Sequence, residues 1–174
     1  SKTIRNVGID LGTSTIKISS QNGEKLVRIP SIIGDPNPGW TGMTLDKSLE
    51  NNLVLQEGGQ SFFVGELARL QSEVKRALAS EGKMKSIKDA VMAIKAALAL
   101  FVKTDNEEIV MATGVPVATS QEEMSTLSKG LSGDMEINVK NDATSEQHTY
   151  NVHVSKCLVL PEPYGSYYLS LIHI

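Results

Sequence analysis

Short apolar runs rich in β-branched residues alternate with turn signals through the opening of the chain, predicting strands over residues 3–10, 15–20 and 25–33. Asn22-Gly23 between the second and third is a hairpin signal, and Pro30 marks an edge or a bend. Asp35 to Gly42 holds too many breakers for regular structure, and Trp40 there reads as a surface anchor. Leu53-Val54-Leu55 and Phe62-Phe63-Val64 flank Gly58-Gly59, a second hairpin, after which Gly65-Glu66-Leu67-Ala68 opens a short helix running towards Ala79.

Helical periodicity then takes over. Ile87, Val91, Ile94, Leu98 and Phe101 recur on one helical face, with Ser86 as N-cap and Asp89 in the first turn. Alanines fill much of the remainder, so this helix is expected to pack closely on a sheet. A buried strand over 108–112 ends at Gly114-Val115-Pro116-Val117, and Ser120-Gln121-Glu122-Glu123 forms a capping box for a helix to about Gly130. Residues 135–140 and 148–154 alternate around a polar loop and predict an antiparallel pair. A final short strand over 156–160 leads into Pro161-Glu162-Pro163-Tyr164-Gly165 and a helix-like end, of which Leu169 to Ile174 fits no native pattern and reads as truncation or readthrough sequence.

Composition narrows the function classes. A length of 174 residues suits one domain, and a net charge of −3 argues against a broad nucleic-acid-binding face. Lys83, Lys85 and Lys88 form the one dense basic cluster, which reads as a solvated helix entry. The single Cys157 sits in an apolar run as core filler; with no internal disulfide to make, it points to a reduced, cytoplasmic setting. The sequence opens in strand pattern without a signal-peptide pattern, and residues 90–102 are too short and carry Lys95, so no membrane span is expected.

Candidate chemistry concentrates in Val7 to Ile18. The run reaches Asp10, turns through Gly12, Thr13 and Ser14, and resumes around Lys17. Glycine admits close backbone approach, and successive N–H groups in such a turn form an anion-binding concavity. The hydroxyls and Lys17 suit a phosphate, and Asp10 fits beside one when magnesium intervenes. The plainer alternative is a hairpin with a polar turn. His148, His153 and His173 show no metal-ligand spacing with Cys157, and neither a Walker P-loop nor a nucleophile elbow is present.

Four ordered pieces carry a resemblance to a known superfamily. Asp10-Leu11-Gly12-Thr13-Ser14-Thr15-Ile16-Lys17 resembles the first phosphate loop of actin-like proteins, and Ile29-Pro30-Ser31-Ile32-Ile33-Gly34 is similar to the run ending their third strand. Phe63-Val64-Gly65-Glu66-Leu67-Ala68 resembles their insert segment, and Pro161-Glu162-Pro163-Tyr164-Gly165 the corner holding a water-positioning residue. Gly114-Val115-Pro116-Val117 is similar to a step in archaeal actin-like and ParM-like plasmid segregation proteins.

The resemblance implies an α/β, ribonuclease-H-like half: a mixed sheet of three antiparallel strands followed by alternating helices and strands, plus an insertion. The core would be residues 1–34 and 83–174, the insertion about 35–82, and the C-terminal half of the site would lie outside this chain. It further implies that Asp10 holds magnesium through water, that Gly12, Thr13 and Ser14 contact phosphates, and that Lys17 pairs with their charge. Glu162 would orient the attacking water; by position alone it is an acid in the first turn of a helix, favourable to the dipole.

The expected function is the N-terminal half of a filament-forming ATPase, cytoskeletal or plasmid-partitioning. It would take ATP (or GTP) with magnesium and self-associate in the full-length protein, while this chain alone binds nucleotide poorly. The alternatives are a small-molecule kinase of the same superfamily and a non-catalytic assembly domain.

Overall fold

The computed structural model describes residues 4–20, 26–39, 44–102 and 104–162. The expectations for Asn22-Gly23, Trp40, His173, the helix after Pro163 and the 169–174 tail lie outside the described residues.

Three strands open the fold: β1 (Ile4–Leu11), β2 (Thr15–Ser20) and β3 (Leu26–Pro30). They form an antiparallel meander whose register sets Ile9 against Ile18 and Ile18 against Val27, and Leu11 against Ile16 and Ile16 against Ile29. Those six side chains make one buried face. The expected third strand stops at Pro30 because proline donates nothing to the ladder. Beyond Ser31 the chain starts a separate strand, β4 (Ile32–Gly34), at the far side of the sheet.

The 35–82 segment continues the sheet. β5 (Leu53–Glu57) and β6 (Gln60–Val64) pair through a two-residue turn in which Gly58 and Gly59 both have positive φ, 61° and 76°. A primed turn needs two such residues, as the sequence predicts. The expected helix towards Ala79 is corrected: α1 (Glu66–Gln71) ends at Ser72, which leaves the helix in extended backbone while its hydroxyl donates to the Asp35 carbonyl. The chain then becomes β7 (Lys75–Ala77), paired with β4, and the two-stranded β8 (Ala79–Ser80) and β9 (Lys83–Met84).

α2 (Ile87–Leu98) starts where the sequence places it, with the Ser86 hydroxyl accepting from the Asp89 N–H. Its deepest side is the alanine side: Ala90, Ala93, Ala96 and Ala97 are fully buried alongside Ile94 and Leu98, whereas Ile87 and Val91 are half-buried. Small residues let the backbone approach its neighbours. One neighbour is α3 (Gln121–Leu131), where a Cβ on Gly130 would stand 2.9 Å from Val91 Cγ2. The capping box of α3 is complete, Ser120 and Glu123 each accepting from the other's backbone N–H.

β10 (Glu107–Val115) runs parallel to β1. β11 (Gly133–Asn141) pairs antiparallel with β12 (Gln147–Pro161) as expected, Met135 facing Val152 and Val139 facing His148. The two short strands expected over 148–154 and 156–160 are in fact one. The register against β10 steps from Ile109–Val154 to Val110–Lys156, so Ser155 is a bulge, and a bulge leaves the strand continuous. Among the described residues, ten of the twelve strands form one mixed sheet in the order β3-β2-β1-β10-β12-β11-β5-β6-β4-β7. The order β3-β2-β1-β10-β12 is the ribonuclease-H-like one expected from the sequence, and β11, β5, β6, β4 and β7 extend the sheet beyond β12.

Candidate functional site

The carboxyl ends of three parallel strands meet at one place. Asp10, near the end of β1, stands in register with Gly114 of β10, which stands in register with Leu160 of β12. Two residues on, the Glu162 N–H donates to the Val115 carbonyl at 2.8 Å, fixing where the chain leaves the sheet. Gly114 contributes no side chain between Asp10 and the β12 end, and the two carboxyl groups meet through a hydrogen bond. In open α/β sheets, ligands bind outside the carboxyl ends of the strands.

The turn beside this pair is shaped by sterics. The Gly12 N–H donates to the Thr15 carbonyl at 3.0 Å, and a Cβ on Gly12 would lie 2.8 Å from that oxygen. No side chain fits there without opening the turn. The Ser31 N–H, where β3 gives way to β4, donates to the Ser14 carbonyl at 3.0 Å and braces the turn from behind. Thr13 and Ser14 are exposed, so their hydroxyls face solvent at the mouth of the site.

Lys17 stands directly opposite Asp10 across the β1–β2 ladder and is exposed. The electrostatics of Asp10 follow from its neighbours. Burial raises its pKa most, the Glu162 charge raises it further, Lys17 pulls it down, and the hydrogen bond with Glu162 raises it again. The raising influences prevail. Two adjacent acids in a half-dry corner suit a cation, and magnesium binds through one or two carboxylates with retained waters. Asp10 and Glu162 are thus donors of the type that magnesium takes. Among the described residues there is no group of three or more His, Cys, Asp or Glu able to enclose a metal by themselves.

This strain is measurable. The folded state binds the Asp10 proton more tightly than the unfolded chain does. The stabilisation is therefore complete at pH below the ordinary aspartate range and is lost as pH rises through the raised value. Asp10→Asn, which cannot ionise, should melt a few degrees above the parent at pH 8 without metal, and the gap should close towards pH 4. Equal melting temperatures at pH 8 would count against a strained Asp10.

All six residues named from sequence fall in this corner. Asp10, Gly12, Thr13, Ser14 and Lys17 come from one hairpin, and Glu162 arrives from β12. Sequence reasoning missed the place of Gly114 beside Asp10 and the bracing by Ser31; a glycine ending a buried strand was the available signal for the first. His153 and Cys157 lie away from this corner. His153 stands on the surface with Nδ1 2.7 Å from Asp134 Oδ1. Cys157 is half-buried and its thiol is pushed up to about 11 by burial, in keeping with an inert core residue. No helix among the described residues is long and apolar enough to cross a membrane.

Comparison with known proteins agrees with this architecture. Residues 8–165 match the sequence model of the actin-like proteins N-terminal domain. No curated protein sequence matches the chain. Among solved structures, apo pSK41 ParM is 18% identical with a TM-score of 0.66, covering 93% of this chain and 50% of its own. The archaeal actin homologue Ta0583 in complex with ADP is 20% identical with a TM-score of 0.66, covering 96% of this chain and 46% of its own. The Alp12 filament structure is 14% identical with a TM-score of 0.61, covering 91% and 46%. The chain thus spans about half the length of these structures. From its opening strands to the corner after β12, the chain belongs to the family of actin-like protein N-terminal domains.

Proposed function

We propose that the chain is the N-terminal, nucleotide-binding half of a filament-forming ATPase, with a core of residues 1–34 and 83–174 and an insertion at about 35–82. One observation carries the reading: the sheet brings Asp10 and Glu162 together, beside a glycine turn and opposite a lysine. A polar hairpin turn alone gives no reason for a second acid, 152 positions away in sequence, to arrive there.

Each residue has a separate task in this reading. Gly12, Thr13 and Ser14 receive the terminal phosphates on backbone N–H groups and hydroxyls, and Lys17 offsets their charge. Asp10 holds magnesium through water; the ion supplies charge neutralisation of the phosphates. Glu162 positions the attacking water. Positioning and electrostatic stabilisation dominate phosphoryl transfer, so a set with no strong nucleophile is sufficient. The family and the ADP complex of the archaeal homologue support nucleotide as the ligand, ATP or GTP, and the Alp12 filament supports self-association of the whole protein.

The test is pelleting of the full-length protein with and without nucleotide, with phosphate release followed in parallel. Sedimenting filaments formed with ATP or GTP, accompanied by phosphate release, are the expected result. Monomers that phosphorylate a sugar would establish a kinase instead, and monomers inert to nucleotide would establish an assembly domain.

A further inference from the structure

The row of residues that contains Asp10 and Lys17 does not stop at Lys17. Across the β2–β3 ladder, Lys17 faces Arg28, so Asp10, Lys17 and Arg28 stand in register on three neighbouring strands and share one face of the sheet. Both cations are exposed. Like charges directly opposite each other in an antiparallel pair are unfavourable. Asp10 draws on Lys17 from one side, but Arg28 has no hydrogen bond or ion pair among the described residues. An anion bound between the two cations would remove their repulsion. The geometry for doing so exists, because adjacent strands are only about 4.8 Å apart and arginine presents a planar fork suited to phosphate oxygens.

We propose that Arg28 is a second phosphate-binding cation of this site, recognising the terminal phosphate of a nucleoside triphosphate and setting the preference for triphosphate over diphosphate. The proposal rests on the phosphate-binding reading of the Gly12 turn. A triphosphate carries more negative charge than a diphosphate, so a cation beyond Lys17 in the row acts on the difference between them. The competing role for Arg28 is protection: β3 is an edge strand, and charges on edges discourage pairing with other chains.

Titration of the full-length protein with magnesium-ATP and magnesium-ADP, followed by thermal shift, separates these possibilities. Arg28→Gln should weaken ATP binding about tenfold, the loss of roughly one charge-assisted contact, and ADP binding by no more than about twofold. Arg28→Lys should recover part of the ATP loss, and Lys17→Gln should weaken both nucleotides. Without nucleotide, Arg28→Gln should melt at or above the parent temperature, since a like-charge pair is gone. If Arg28→Gln lowers that temperature, ATP and ADP affinities of Arg28→Lys decide, and equal losses for the two nucleotides overturn the proposal. Unchanged ATP affinity in Arg28→Gln, with or without new aggregation, overturns it while leaving the Gly12 turn reading intact. Failure of the parent to bind either nucleotide, or parent-like binding by Lys17→Gln, overturns that reading and the proposal with it.

Discussion

Arg5→Ala is expected to lower the stability of the domain by about 3 kcal/mol in chemical denaturation, a typical cost of breaking a buried pair from one side. Arg5 makes a fork on Glu107, with Nε 3.1 Å from Oε2 and Nη2 2.9 Å from Oε1. The Glu107 side chain is only 2% exposed, so the substitution takes the two-pronged guanidinium contact away from a buried carboxylate that the Thr104 hydroxyl also reaches, at 3.5 Å. The pair joins the amino ends of β1 and β10, the opposite end of those strands from Asp10 and Gly114. Nucleotide affinity of the folded fraction should therefore be unchanged. Replacing both partners by apolar residues should recover most of the loss, because the penalty lies in a buried carboxylate that has lost its guanidinium. A cost below about 1 kcal/mol for Arg5→Ala would show that the remaining contacts of Glu107 suffice to hold its charge.

Glu162→Ala should slow nucleotide hydrolysis in the full-length protein about a hundredfold, at the lower end of what a positioned acid or base contributes. Nucleotide binding should survive. The substitution also removes the neighbour whose charge and hydrogen bond raise the Asp10 pKa. Asp10 then ionises more readily, so the thermal stability of the variant should depend less on pH across the carboxylate range than that of the parent. Slowed turnover with nucleotide affinity retained separates a water-positioning Glu162 from an acid that merely ends a strand. Hydrolysis at the parent rate would remove the catalytic assignment.

The parts of the fold legible in the sequence are those decided within a few residues. The Ser86 cap, the Ser120–Glu123 capping box and the Gly58-Gly59 turn are all local chemistry, and all form as read. The readings that failed turn on partners far away. The third strand breaks at Ser31 because β4 pairs with β6 and β7, and α1 ends early because Ser72 answers Asp35. The bulge at Ser155 shows only against β10. The site divides in the same way. Asp10, the Gly12 turn and Lys17 belong to one hairpin and are visible as a pattern, whereas Glu162 was reached only through the family resemblance. Gly114 gains its meaning from register between distant strands, which apolar alternation does not specify, and Arg28 from its place opposite Lys17 in the β2–β3 ladder.

The order of the sheet also bears on how the chain comes off the ribosome. β1 finds its antiparallel partner β2 within a few residues, but its other edge waits for β10, which begins about a hundred residues later at Glu107. Until then the nascent meander presents an unpaired row of backbone groups flanked by Val7, Ile9 and Leu11, the kind of edge that recruits other strands. β10 in turn gains its second neighbour only with β12. Non-local pairing of this kind is slow, so the early chain has a long exposed interval in which shielding by a chaperone would matter.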